Sequence, residues 1–564
     1  MSRKKPIATP PPAIPSAASP GLWENRLEPW LCRYSLLLAL LFTLLGAARI
    51  VSTYDALSVT SDEPGHFVSG LQYLTQHRYD LDRQHPPLTR IPIALLPYLS
   101  GTRPQGKPNF QTEGQAVLLS ESHPQLTVWR MRLGNLPFFL LGCGVLFVWT
   151  RRYFGAACAL LAVVCFTFIP TVLAHAGLAT TDMGLAACLG LVFLAMLAWV
   201  EEPSLGRGAI FGLCGALAVL AKFTALIFFP AAAGMAFLFY LVSVRPGVAH
   251  LKRLAAERLP SLAAAACVCV FVWWGAYFFS FGKIDSWNVS LPAWQFFDGI
   301  RVLMLHNHDG HMSYLLGQAS RFGWWYYFPV GLAAKTPLAM LVLLGVGLAA
   351  CWNNRRRLPY LLPVAFILGI LLPAMAGNIN IGMRHVLPVF LGFAMLSALG
   401  LVQLLRMADA RRWSGALAAL LLVWLAATGA IHHPDYIPYF NELVPYPQDR
   451  VICDSDFDWG QDTMRLARRL RQLGAKEVHY GQLYDDDEAF LEAYAGLPHV
   501  IPIEPREPAE GWIAICPTMD HVAQYGLEDQ YPGIRTWYSD LHVQERIGTI
   551  DLIYVAPGTL KPKQ

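Results

Sequence analysis

Between residues 31 and 431 the chain returns again and again to apolar stretches that are nearly free of charge. About 20 such residues in a helix cross the ~30 Å hydrocarbon core of a bilayer. In lipid, only helices or closed barrels satisfy every backbone group. Stretches at 31–53, 128–150, 155–174, 182–200, 208–222, 224–244, 259–280, 330–351, 358–376, 385–404 and 413–431 predict eleven spans. The fold class expected is mainly α, a polytopic transmembrane bundle. Composition agrees: 55% of residues are hydrophobic and 15% charged, against about a quarter charged in soluble domains.

Charge sets the expected orientation. Arg151 and Arg152, Arg207, Arg245 with Lys252, Arg253 and Arg258, Arg355 to Arg357, and Arg406 with Arg411 and Arg412 all fall on one side. Lys/Arg-rich loops stay in the cytoplasm. Residues 1–30, with Arg3, Lys4, Lys5 and the Pro/Ala-rich 6–20, then read as a disordered cytoplasmic tail. The membrane domain occupies 31–431, with outer loops at 54–127, 281–329 and 377–385. Residues 432–564 are more polar and read as an extracytoplasmic α/β domain. There "RVICDSD", "DTMRLARRLRQLG" and "KEVHYGQL" suggest strand, helix and strand, with further strands at "GWIAIC" and "GTIDLIYVA". Cys453 and Cys516 are the two cysteines of this domain. A bridge between them is one reading, and two separate buried thiols are the other.

Ionisable residues that are costly in a membrane cluster on the outer side: Asp62, Glu63, His66, Arg83, His85, Asp182, Lys222, His306, His308, His311, Lys335, Arg384 and His385. They form one layer, not a path through the bundle, which points to a site at the outer leaflet. Each has a plainer explanation as well. Ser61 or Asp62 can cap the helix that begins at "EPGHF". The prolines of "QHPPL" can serve a turn, and Lys335 can snorkel. His306, His308 and His311, within "HNHDGHM", can bind a divalent metal or stand as a solvated His-rich loop. "CDSDFDWGQD" lacks the spacing of a calcium loop and reads as an Asp-rich helix start. "GVGLAA" at 345–350 lies in an apolar span, where small residues mean close helix packing.

Taken together, "SDEPGHFVSGLQYL", "QHPPLTRIPIALLP", "GWWYYFPVGLAAKTPL", "NIGMRHVLPVF" and "DSDFDWGQD" resemble the C-type glycosyltransferase superfamily. The similarity is to bacterial phospholipid-carrier-dependent enzymes related to protein O-mannosyltransferases and the lipid A aminoarabinose transferase. That resemblance implies sugar transfer from a polyprenyl-phosphate donor to a hydroxyl on a lipid, glycan or protein. The reaction would occur on the outer face of the inner (plasma) membrane, without a nucleic-acid partner. The family's first-loop acid falls on Asp62, with Glu63 beside it to place acceptor or metal. Arg384, His385, Lys335 and His85 become candidates for the donor phosphate. His85 stands where the aminoarabinose enzyme has a lysine before proline. An alcohol needs a base to accept its proton, and the leaving phosphate needs cations. Two rival readings are a lipid-linked-sugar flippase using the same cations, and a non-catalytic receptor whose outer domain binds glycan.

Overall fold

The computed structural model describes residues 23–284, 286–481, 487–530 and 535–559. The expected tail at 6–20 and the basic residues 3–5 lie outside them. All eleven apolar stretches are helical. The first is α1 (Glu28–Val51). The long loop after it is itself folded: α2 (Glu63–Gln76) packs on α3 (Arg90–Leu99) and α4 (Phe110–Ser120), and both of these pack on α5 (Pro124–Phe154). The bundle continues through α6 (Ala156–Thr167), α7 (Pro170–Ala176), α8 (Asp182–Glu201), α9 (Leu205–Ala221), α10 (Ala225–Val244) and α11 (Val248–Gly275). The second long loop carries the hairpin β1 (Phe281–Ile284) and β2 (Val289–Pro292), then α12 (Trp294–Asp309). A further hairpin, β3 (Ser313–Leu315) with β4 (Gln318–Ser320), follows. Helices α13 (Tyr327–Lys335), α14 (Leu338–Asn353), α15 (Leu358–Ala374), α16 (Val389–Met407) and α17 (Arg412–Ile431) complete the membrane part.

Among the described residues, seven helices (α1, α5, α8, α10, α11, α16 and α17) are long and apolar enough to cross a membrane. Counting the bent pairs α6–α7 (70°) and α13–α14 (114°) as one span each makes nine. Both bends coincide with prolines, Pro170 and Pro337. Proline removes a helix donor and pushes the preceding residue out of the α region. The other two expected spans are α9 and α15, of 17 residues each. At 1.5 Å per residue such a helix covers only about 26 Å.

The C-terminal domain is a five-stranded mixed sheet. Its elements in chain order are α18 (Thr463–Gln472), β5 (Glu477–Gly481), α19 (Glu488–Phe490), β6 (His499–Pro502), β7 (Gly511–Ile515), α20 (Pro517–Gln530), β8 (Glu545–Ile547) and β9 (Ile550–Val555). Strand order is β6-β5-β7-β9-β8; β5 is parallel to both neighbours, while β9 is antiparallel to both of its own. Leu466 and Leu470 of α18 cover Val478, Ala514 and Leu552 of the sheet.

The strand expected at "RVICDSD" is not formed. Residues 448–450 and 454–456 are short 3-10 turns, and Ile452 makes only an isolated bridge to Leu315. The reason is docking: this segment spends its backbone and side chains on the membrane part. Cys453 and Cys516 are free and buried with different partners; the Cys453 thiol donates to the Asp449 carbonyl at 2.9 Å, and Cys516 lies 3.6 Å from the Tyr480 hydroxyl.

The loops at 54–127 and 281–329 and the C-terminal domain lie at one end of the bundle. Ser58 N–H donates to the Gln461 carbonyl (2.8 Å) and Leu316 N–H to that of Val451 (3.0 Å). Close packing behind this end uses glycine where expected: a Cβ on Gly347 of α14 would stand 1.9 Å from the Leu396 carbonyl of α16. A Cβ on Gly345, two residues earlier, would meet nothing within 4 Å. Gly347→Ala should therefore cost about 1–3 kcal/mol through overpacking. Gly345→Ala should be neutral or gain up to about 1 kcal/mol of helix propensity. Thermal midpoints of the two purified variants, read by size-exclusion after heating, check the contrast.

Candidate functional site

The adjacent acids Asp62 and Glu63 lie on either side of the α2 start, and they diverge. The Asp62 side chain makes no capping hydrogen bond. Glu63 turns inward and is completely buried. One of its oxygens accepts from Arg132 Nε (2.9 Å) and the Ala179 N–H (2.8 Å). The other accepts from Arg132 Nη2 (2.8 Å), the Thr60 N–H (2.8 Å) and the Thr60 hydroxyl (3.2 Å). Burial alone would raise its pKa, but the Arg132 charge and these donors hold it below the usual carboxylate range. Glu63 therefore ties the first loop to α5, and the role in acceptor or metal placement expected of it is corrected.

Asp62 faces a cavity of about 620 Å³. Its carboxylate accepts from Arg384 Nη1 at 2.6 Å, with 38% of the Asp62 side chain still exposed. Arg384 stands on the 3-10 turn Met383–Val386, which is held by the C-terminal segment: the Met383 N–H donates to both Asp456 oxygens (3.1 and 3.0 Å). Its guanidinium lies 4.1 Å over the Trp459 ring. Its Nε is buried without a hydrogen-bond partner among the described residues. A guanidinium N–H left dry and unpaired costs free energy that a ligand acceptor would recover.

Lys222, read from the sequence only as part of the outer polar layer, also lines the cavity. It stands at the "AKFT" break between α9 and α10 and donates to Asp182 Oδ1 at 2.6 Å. His85 lines the wall too, its ring 5.1 Å from that of His66, while Arg90 Nε donates to His66 Nδ1 (3.1 Å) and the Arg90 guanidinium binds the Asp82 carboxylate. Burial, then the charge of Arg90, pushes both imidazoles well below their ordinary pKa, so each is neutral at physiological pH. His385 lines the cavity and is likewise lowered by burial and by Lys222 and Arg384. These histidines can offer hydrogen bonds to a phosphate, not charge. Apolar side chains also line the cavity: Ile227 and Phe228 of α10, Leu303 and Met304 of α12, and Pro373 and Ala374 of α15.

Two further expectations change. Lys335 does not reach the cavity or snorkel. It is buried, donates to the carbonyls of Ile437 (2.8 Å) and Asp456 (2.5 Å), and lies 4.1 Å over the Phe440 ring. It fastens the C-terminal segment to α13. The histidines do not converge as a metal set either. His306 Nε2 and His311 Nδ1 are 3.1 Å apart and both line the cavity; His308 does not. Residues two apart on a helix point to different faces. Among the described residues no three His, Cys, Asp or Glu side chains form a group able to hold a metal ion.

The Asp-rich run also divides. Asp456 and Asp462 hold backbone N–H groups, those of Met383 and Thr549, and Asp462 also binds Arg465 at 2.7 Å. Asp454 alone of the four lines the cavity. Sequence reasoning had no signal to separate them.

Residues 125–277 match the dolichyl-phosphate-mannose-protein mannosyltransferase family. The match bears out, over α5 to α11, the superfamily resemblance read from the sequence. No curated protein sequence matches the chain. Among solved structures, ArnT from Cupriavidus metallidurans bound to undecaprenyl phosphate is 15% identical, with a TM-score of 0.48 over 93% of this chain and 99% of that one. The oligosaccharyltransferase AglB from Archaeoglobus fulgidus, in complex with an inhibitory peptide and a dolichol-phosphate, is 14% identical with a TM-score of 0.45. There 86% of this chain covers 62% of the other.

Removing either acid of the pair should separate structure from site. Glu63→Ala leaves Arg132 buried and unpaired, at a cost of about 3–5 kcal/mol. Asp62→Ala, at a half-open position, should cost at most about 1–2 kcal/mol. Thermal midpoints of the two variants in detergent should differ in that order.

Proposed function

We propose that the chain is an integral membrane glycosyltransferase that moves a sugar from a polyprenyl-phosphate donor to a hydroxyl acceptor on the outer face of the membrane. The observation that carries this reading is the Arg384 guanidinium: one N–H on Asp62, another buried and unpartnered, in a cavity partly lined by apolar side chains. A lipid-linked phosphate meets each of these demands. Its chain lies along Ile227, Phe228 and Met304, and its phosphate oxygens take the free donor of Arg384. Lys222, which also lines the cavity, adds a second cation.

Asp62 is the base. In the resting cavity its carboxylate is held by Arg384, so the donor phosphate competes with it for the same guanidinium. Donor binding thereby loosens Asp62 toward the acceptor. The acceptor oxygen then attacks the anomeric carbon, a new C–O bond forms, and the bond from that carbon to the phosphate oxygen breaks. The acceptor's proton passes to Asp62, and the electron pair leaves with the polyprenyl phosphate, whose charge Arg384 and Lys222 stabilise. Orientation with the C-terminal domain outside follows from the basic inner loops. Lipids, glycans and proteins all carry hydroxyls that would serve as acceptor.

Comparing envelope glycolipids and glycoproteins by mass spectrometry, with and without the gene, tests the reading; an unchanged inventory would reject it. In a reconstituted assay, Asp62→Asn should lose about 10²–10⁴-fold in transfer rate while retaining donor binding. Arg384→Ala should weaken donor binding by about 1.5–3 kcal/mol. Arg384→Lys should recover only part of that, because an ammonium cannot present two coplanar donors. Equal donor affinity in all three proteins at position 384 would remove Arg384 from the site.

A further inference from the structure

Asp454 has a set of features that the reaction as described does not use. It is 8% exposed and lines the cavity, although it belongs to the segment that opens the C-terminal domain. Its backbone has φ of 62°, a left-handed conformation that asparagine, aspartate and glycine tolerate best. The strain is held in place from outside: the Asp454 N–H donates to the Thr518 hydroxyl of α20 at 3.1 Å. Oδ1 accepts from the Ser455 N–H at 2.5 Å. Oδ2 has no hydrogen-bond partner among the described residues. A strained backbone that aims a buried, half-satisfied carboxyl into a cavity is characteristic of functional positions.

The groups that face Asp454 decide what it can do. Arg384 lines the same cavity and its charge acts on Asp454, and Asp62 already binds it at 2.6 Å. Asp456 and the Cys453 thiol on the same segment, and the Tyr327 hydroxyl of α13, also interact with it electrostatically. A donor phosphate brings another negative charge to that one guanidinium. An ionised Asp454 would add a third anion to it in a dry site, whereas a protonated one adds a donor.

We propose that Asp454 is a donor-binding residue, presenting its carboxyl O–H to an oxygen of the sugar phosphate beside Arg384. The C-terminal domain thus completes the binding site from outside the bundle. The protonation state agrees: burial, opposed by Arg384 and reinforced by Asp62 and Asp456, raises the carboxyl to about 7. Below that pH the O–H is present; above it the site carries a repelling charge. This inference rests on the polyprenyl-phosphate reading above, and its test separates the two.

The full-length protein in vesicles is titrated with undecaprenyl phosphate between pH 6 and pH 8, alongside Asp454→Asn and Asp454→Gly. Asparagine keeps the shape, the left-handed backbone and a donor, but cannot ionise. Glycine relieves the backbone and removes the side chain, so it remains folded if the carboxyl is not structural. Reading wild type as a ratio to Asp454→Asn cancels the titration of the probe's own phosphate. The expected ratio of affinities is near one at pH 6 and roughly tenfold against wild type at pH 8, from a group titrating near 7. Asp454→Gly should bind more weakly than Asp454→Asn at both. Parallel curves for wild type and Asp454→Asn, or undiminished binding by Asp454→Gly, would overturn the proposal while leaving the donor reading intact. Absence of binding by all three proteins would overturn both.

Discussion

The ion pair between Asp62 and Arg384 joins two parts of the chain 322 residues apart and does so inside the cavity, not behind it. A partly buried pair of this kind has modest net stability, because attraction in the interior is offset by the lost hydration of both charges. Removing one partner of this half-open pair costs about 1–2 kcal/mol, and exchanging one anion for another costs less still. That asymmetry makes the pair suited to substrate exchange. A phosphate that replaces Asp62 on Arg384 keeps the cation paired throughout, and releases a carboxylate at the place where a base is needed.

The pair can be exchangeable because its surroundings are not. Glu63 with Arg132, Asp82 with Arg90, and Asp182 with Lys222 are buried pairs, and Glu63 has every acceptor position occupied. They fix the first loop on α5, α3 on the loop that precedes it, and the α9–α10 break on α8. From the other side, Lys335 and Asp456 clamp the C-terminal segment against α13 and the Arg384 turn. The C-terminal domain, which the sequence presents as an appendage, therefore shapes the cavity that the bundle opens.

What was legible in the sequence follows from which physical signal each feature carries. Apolar length is a strong signal, and every expected span is helical; two of them bend, at Pro170 and Pro337. The polar layer at the loop ends was legible too, because charge is costly near lipid. Choosing within the layer was not. Asp62 and Glu63 differ by one helical step of about 100°, enough to send one into the cavity and the other into the core. Lys335 fits snorkelling, phosphate contact or a backbone clamp equally well until the carbonyls of Ile437 and Asp456 are seen around it. "RVICDSD" carries strand propensity, but tertiary docking outweighs it. Asp454 was hidden among four aspartates, since only its backbone conformation and its neighbours distinguish it.

The most direct test of this account is a structure of the protein in a lipid nanodisc with undecaprenyl phosphate bound. The account predicts a phosphate oxygen within hydrogen-bond distance of Arg384, with the lipid chain along Ile227 and Phe228. The Asp62 carboxylate should have moved off Nη1 from its resting 2.6 Å. A phosphate bound elsewhere, with the Asp62–Arg384 pair unchanged, would contradict it.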